Sequence, residues 1–171
     1  DGKERVDGWL ERYFGVRHSD TSRHTGRAWI ISAVARALQP GCKVDTVLVL
    51  EGRQGGGKSQ TIRRLAGDRY ASLKSNVDTK EAAIELQGRW IVELEEMAST
   101  RGVQADKVEA FLSLEEDRFR PPYGRTIVCN PRRQVFIPTT NEKTFLIDDT
   151  GNRRFWVESC QGKADPDAMA I

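Results

Sequence analysis

Residues 46–59 read TVLVLEGRQGGGKS, and this stretch decides the fold. Residues 46–50 are a short, nearly unbroken apolar run, the pattern of a strand buried on both faces of a parallel sheet. The next residues, Gly52, Arg53, Gln54, Gly55, Gly56, Gly57, Lys58 and Ser59, match GxxxxGK[ST] at every fixed position. Glycines let the backbone curl until successive N–H groups point inward, where they meet phosphate oxygens. Lys58 is then expected to reach the β- and γ-phosphates of ATP, and the Ser59 hydroxyl to ligate Mg²⁺. A helix starting there, with Gln60 in its first turn, adds the positive end of its dipole to the same anion. A glycine-rich turn beside a helix is the bland alternative; the strand before and the helix after argue against it.

A P-loop needs a second strand that carries acid to the metal and to the attacking water. Residues 90–94, WIVEL, followed by Glu95 and Glu96, supply three carboxylates at the end of an apolar strand. Period-two alternation puts Glu93 and Glu95 on one side, with Glu96 leaving the strand end. One acid, Glu93 or Glu95, is expected on the metal side, and another to orient or deprotonate water. A solvent-exposed acidic strand end is the competing reading. A third strand, 135–139, ends at Thr140 and Asn141, and a polar side chain there would sit between the two other strand ends.

Outward from this array, Trp9, Leu10, Tyr13 and Phe14 fall at helical spacing. A longer helix is expected from Gly26 to Gln39, with Ile30, Val34 and Ala37 on one face, Ile31 and Leu38 flanking it, and Pro40-Gly41 as its stop. Asp78 is a candidate cap for a helix over 79–87, and residues 104–114 read as another through Val108, Phe111 and Leu112. A hairpin is expected from strands 126–129 and 134–137, turning at Asn130-Pro131. Residues 154–157 close the sheet. The fold expected is an α/β, three-layer P-loop NTPase sandwich with an inserted β-hairpin. Residues 1–44 form an N-terminal helical segment packed on a core of residues 45–171.

Composition narrows the class. Of the 171 residues, 30% are charged and 38% apolar, values of a globular chain. No apolar run approaches the ~20 residues that span a bilayer, and the N-terminus lacks a signal-peptide pattern, so no membrane partner and a cytoplasmic location are expected. Three scattered cysteines and two histidines, His18 and His24, make neither a disulfide framework nor a zinc site. Starting at Asp1 and stopping just after a strand, the chain reads as a fragment of a longer protein. Its net charge of +2 says little, but Arg118, Arg120 and Arg125 cluster, as do Arg132 with Arg133 and Arg153 with Arg154.

The segments GRQGGGKS (52–59), GRWIVELEEM (88–97), RPPYGRTIVCNPRRQVFIPTTN (120–141) and DDTGNRRFW (148–156) resemble the virulence-associated protein E family. That family occurs in phages and other mobile elements and is similar to superfamily 3 helicases of the AAA+ type. The resemblance implies an ATPase and DNA helicase assembled as a homo-oligomeric ring, with a hexamer the expected size, acting on single-stranded DNA. A primase domain on the same chain is a candidate for the missing flanking sequence. In such rings one protomer supplies the P-loop and acidic strand and its neighbour an arginine finger, a role that falls on Arg153 or Arg154. A cis-acting arginine, or an ordinary pair opening a strand, is the alternative. The hairpin before Asn141 matches the one that grips DNA in the central pore, so its tip at 130–133 makes Arg132 and Arg133 candidate DNA contacts; a solvated basic turn is the alternative. Glu109 stands where the family pattern has a lysine, and the family's spacing favours Glu93 and Glu96 as the working acids. Rival readings are a P-loop kinase, with the two arginines in a lid, and an ATP-switched DNA-binding module with little turnover.

Overall fold

The computed structural model describes residues 5–73, 77, 79–95, 103–141 (backbone only at 103–106), 154–162 and 164. In chain order the elements are α1 (Trp9–Phe14), α2 (Asp20–Leu38), β1 (Val47–Glu51), α3 (Lys58–Ala66), a 3₁₀ turn (Gly67–Arg69), β2 (Tyr70–Leu73), α4 (Lys80–Glu85), β3 (Ile91–Leu94), α5 (Val103–Leu112), β4 (Glu116–Phe119), β5 (Val128–Pro131), β6 (Val135–Thr140) and β7 (Phe155–Ser159).

Five strands form one sheet in the order β2-β3-β6-β1-β7, and every pairing in it is parallel. Parallel strands must be crossed over by helices, and the apolar side chains divide accordingly between the two faces. Leu48, Leu50, Ile91, Val135 and Ile137 pack with α1, α2 and α3 on one face. Val47, Val49, Val92, Leu94 and Phe136 pack with α4 and α5 on the other. The result is the expected α/β sandwich, with β6 between the acidic strand β3 and the glycine-loop strand β1. Asn141 therefore leaves the sheet between the other two strand ends, as its position after 135–139 implies.

Helix α2 begins six residues before the Gly26 start read from periodicity. Ser19 caps it, its hydroxyl accepting from Ser22 N at 3.0 Å, while the Ser22 hydroxyl accepts from Ser19 N at 3.1 Å. The buried face is centred elsewhere than expected: it is Ser22, Thr25, Gly26, Trp29, Ala33 and Arg36, with Ile30 half-buried against the core at its edge, while Ile31, Val34 and Leu38 face solvent. Both faces carry apolar residues, so periodicity alone does not choose between them. Trp29 decides: its indole stacks on Trp9 at 5.5 Å and donates to Phe136 O at 3.1 Å. Trp90 fixes the same helix from the sheet side, donating to Ala33 O at 2.8 Å. Close approach is possible because Gly26 and Ala33 are small; a Cβ on Gly26 would lie 2.8 Å from the Leu10 and Trp9 side chains. Helix α4 starts one residue later than expected and is capped by Thr79, whose hydroxyl accepts from Ala82 N; Asp78 lies outside the described residues.

The expected hairpin is corrected. Strand β5 pairs antiparallel with β4, from Glu116↔Pro131 to Phe119↔Val128, and not with β6. The burial patterns give the reason. All six residues of β6 are buried, which suits the middle of a two-sided sheet, whereas β4 and β5 alternate as strands with one face in water do. The tip is thus residues 120–127, and residues 132–134 are the passage from hairpin to sheet.

That passage removes Arg132 as a DNA contact. Its side chain is fully buried, with its guanidinium 4.3 Å from the Phe111 ring centroid and 5.3 Å from that of Phe136. Nε donates to Asp117 Oδ1 at 2.8 Å and Nη1 donates to Phe111 O. Nη2 is also 2.8 Å from Asp117 Oδ1 but is not aimed at it, so this second contact is purely ionic. Burial pulls the Arg132 guanidinium below its ordinary value, and Asp117 opposes that shift. Arg36, buried beside it, donates to Cys42 O, Gln134 O and Leu114 O. Arg133 stays exposed and donates to Ala37 O at 3.2 Å.

The buried pair gives a stability prediction. Removing one partner strands a charge in the core, which costs about 3–5 kcal/mol. Asp117→Ala is expected to lower the urea-unfolding free energy by that amount. An exposed-pair control, Glu116→Ala, is expected to change it by less than about 1 kcal/mol, because its 3.8 Å contact with Arg118 is solvated.

Candidate nucleotide site

The loop between β1 and α3 is built by backbone bonds that need glycine. Gly52 N donates to Thr140 O at 3.0 Å, tying the loop's start to β6, and Gly56 N closes a tight turn on Arg53 O at 3.2 Å. Gly55 (φ 73°) and Gly57 (φ 84°) occupy the left-handed region. Gly57 is crowded as well, since a Cβ there would lie 3.0 Å from Ala164 O. Ala164 N in turn donates to Gly56 O at 2.8 Å, so the chain after β7 braces the loop. Lys58 is buried and folded over its own loop, donating to Gly52 O at 2.7 Å and Arg53 O at 3.0 Å.

Ser59, the second residue of α3, donates to Glu93 Oε1 at 2.6 Å. Glu93 is fully buried, and two further hydroxyls meet it: Thr139 donates to Oε1 at 2.8 Å and Tyr70 to Oε2 at 2.6 Å. Burial, then the bond to Glu93, push the Tyr70 phenol well above its ordinary value, so it remains a donor. Glu95, exposed at the strand end, accepts from Ser72 Oγ at 2.5 Å. Cavities of about 420 and 410 Å³ flank the loop; Gly55, Gly56, Lys58 and Asn141 line both. Ser59, Gln60 and Glu95 line the second, and Cys160 lines the first. Burial pushes the Cys160 thiol up to about 12, which leaves it a neutral wall and not a nucleophile.

The candidate residues 52–60, Glu93, Glu95 and Asn141 therefore meet at the carboxyl ends of three adjacent strands. Glu96 and Arg153 lie outside the described residues. Arg154 is elsewhere: it precedes Phe155, which is level with Val47 at the start of β1, and it donates to Glu109 Oε2 at 3.2 Å. The length of β1, roughly 13 Å at ~3.3 Å per residue, separates that level from the loop, too far for its guanidinium to reach the site of its own chain. Sequence reading missed Tyr70, Ser72 and Thr139. Tyr70 and Ser72 alternate along β2, but only the pairing of β2 with β3 brings their hydroxyls to the acids.

Among the described residues no group of three or more His, Cys, Asp or Glu side chains gathers as a metal cage. A Mg²⁺ site of the kind completed by phosphate oxygens and water needs only one or two protein ligands. Ser59 and Glu93, 2.6 Å apart beside the loop, have the right donor chemistry for that.

Taken together, an all-parallel α/β sheet with a glycine loop leading into a helix defines the class. The chain belongs to the virulence-associated protein E-like domain family, whose profile matches residues 1–170. No curated protein matches it. It is similar to solved structures of the NrS-1 C-terminal region. An apo structure of residues 305–718 has 16% identity and a TM-score of 0.63, covering 99% of this chain and 42% of that one. An A-form apo structure has 18% identity and a TM-score of 0.62, with the same coverage. The likeness extends to the fold, and this chain spans less than half of those.

The loop geometry predicts unequal costs at two glycines. Gly55→Ala meets nothing within 4 Å and bears only the left-handed penalty, about 1–2 kcal/mol. Gly57→Ala bears that penalty plus the clash with Ala164 O. Chemical denaturation is expected to show Gly57→Ala as the less stable variant.

Proposed function

We propose that this domain binds ATP with Mg²⁺ and hydrolyses it to drive a ring-shaped motor on DNA, in the replication of a phage or other mobile element. The observation that carries the reading is the 2.6 Å contact between Ser59, at the start of the glycine-loop helix, and the buried carboxylate of Glu93. It joins a phosphate cradle to an acid on a separate strand, the pairing that metal-assisted phosphoryl transfer needs.

In this reading the loop N–H groups and the α3 dipole hold the phosphates. Lys58 exchanges its two loop carbonyls for phosphate oxygens and neutralises charge as transfer proceeds. Ser59 and Glu93 would hold the metal, which would supply charge neutralisation to the phosphates when bound. Contact with Ser59 favours Glu93 over Glu95 for this role. Glu96 is the proposed base and Asn141 orients the water between the strand ends. Arg153 or Arg154 acts in trans; the distance of Arg154 from its own loop argues against a cis role.

The DNA path moves from 130–133 to the β4–β5 tip. Tyr123 is entirely exposed and holds φ 62°, a conformation unusual for a non-glycine residue. Arg118, Arg120 and Arg125 of the same hairpin are exposed, as is Ile127. An aromatic face among guanidinium groups suits single-stranded nucleic acid, with a base on the ring and phosphates on the arginines.

Two experiments test this. Lys58→Ala is expected to remain folded and lose ATP turnover measured without any added acceptor. Turnover at the parental rate would remove the site assignment, and a wild-type requirement for a small acceptor would favour a kinase. Replacing Arg118, Arg120 and Arg125 by alanine is expected to weaken single-stranded DNA binding. It should also flatten the salt dependence by up to ~0.7 in logarithmic slope per lost phosphate contact. Tyr123→Ala should weaken binding by about 1–3 kcal/mol without changing that slope.

A further inference from the structure

The edge strand β2 enters neither the phosphate cradle nor the acidic strand, yet it touches the acids. By register Tyr70 is level with Ile91 and Ser72 with Glu93. Each hydroxyl leans two residues further along the neighbouring strand, Tyr70 to Glu93 and Ser72 to Glu95. The two contacts differ in kind. Glu95 is exposed and water can replace Ser72, whereas Glu93 is fully buried and Tyr70 donates to its Oε2. Oε1 receives the other two donors, Ser59 and Thr139. With Oε2 pinned from the β2 side, the carboxylate plane is fixed and Oε1 stays turned toward α3. The phenol is itself held, because the Arg63 guanidinium lies 4.9 Å from the Tyr70 ring centroid. Arg63 is four residues after Ser59 on α3, one turn along the same face. Both ends of the Tyr70 contact are thus referenced to the helix that carries Ser59.

We propose that Tyr70 is a positioning residue for the metal–nucleotide site, orienting Glu93 so that its Oε1 and the Ser59 hydroxyl present a joined pair of oxygens to Mg²⁺. This rests on the nucleotide reading above and adds a residue on a strand outside its motifs. Hydrogen bonds to a metal-binding carboxylate from outside the ligand set commonly govern metal affinity by 10–100-fold.

The test is Tyr70→Phe, which removes one oxygen and keeps the ring and its Arg63 contact. Binding of a fluorescent ATP analogue is measured in EDTA and then across a Mg²⁺ titration, with no turnover required. The expected result is a half-saturating Mg²⁺ concentration raised roughly 10-fold, with affinity in EDTA unchanged. A Mg²⁺ dependence equal to wild type overturns the role of Tyr70 and leaves the nucleotide reading standing. An equal loss of affinity with and without Mg²⁺ also overturns it, since general loosening would do that. A wild-type protein that binds the analogue under neither condition overturns the nucleotide reading and this inference with it.

Discussion

A carboxylate in a protein interior must be met by donors, and much of this structure serves that requirement at Glu93. The side chain is fully buried on β3, and the hydroxyls that satisfy it come from three different elements, α3, β2 and β6. Burying such a group without partners costs several kcal/mol, so the three contacts also fix how those elements sit relative to β3. They are consequences of strand order. Only with β2 and β6 on either side of β3 can Tyr70 and Thr139 approach the same carboxylate from opposite directions.

The all-parallel sheet explains why the chemistry collects at one end. Every strand in it runs the same way, so β1, β3 and β6 deliver their last residues to a single crevice. Ligands in open α/β sheets bind outside the carboxyl ends of the strands for this reason. The chain after β7 completes the arrangement. Cys160 borders the first cavity and Ala164 holds the loop through Gly56, so the loop is braced from both the β6 and the β7 side. No helix in the described residues is long and apolar enough to cross a membrane.

Basic residues divide into two populations that sequence proximity conceals. Arg36 and Arg132 are buried and hold loop carbonyls, aromatic faces and Asp117 together beneath the hairpin. Arg118, Arg120 and Arg125 project from that hairpin into solvent. The buried cluster anchors the base of the hairpin to α2, α5 and β6, which frees its tip to present Tyr123. Arg154, paired with Glu109 at the opposite end of the sheet from the glycine loop, belongs to neither group.

Local chemistry made the glycine loop, the acidic strand and the polar end of β6 legible in the sequence. Gly52 to Ser59 is defined by fixed spacing, and the buried strands 47–51, 91–94 and 135–140 announce themselves as short apolar runs. Such features depend on residues adjacent in the chain, and their order implied an α/β sandwich. Choices between equivalent partners were decided only in three dimensions. Periodicity could not say which face of α2 is buried, because apolar residues line both and the indole of Trp29 selects between them through a carbonyl 107 residues away. Nor could it say whether residues 128–131 pair forward or backward, because that depends on β6 being claimed by β3 and β1. Arg132 looked like Arg133 in sequence, and one is core while the other is surface. Tyr70 carries no motif at all; its relation to Glu93 exists only because two neighbouring parallel strands bring a phenol within reach of a carboxylate 23 residues away in the chain.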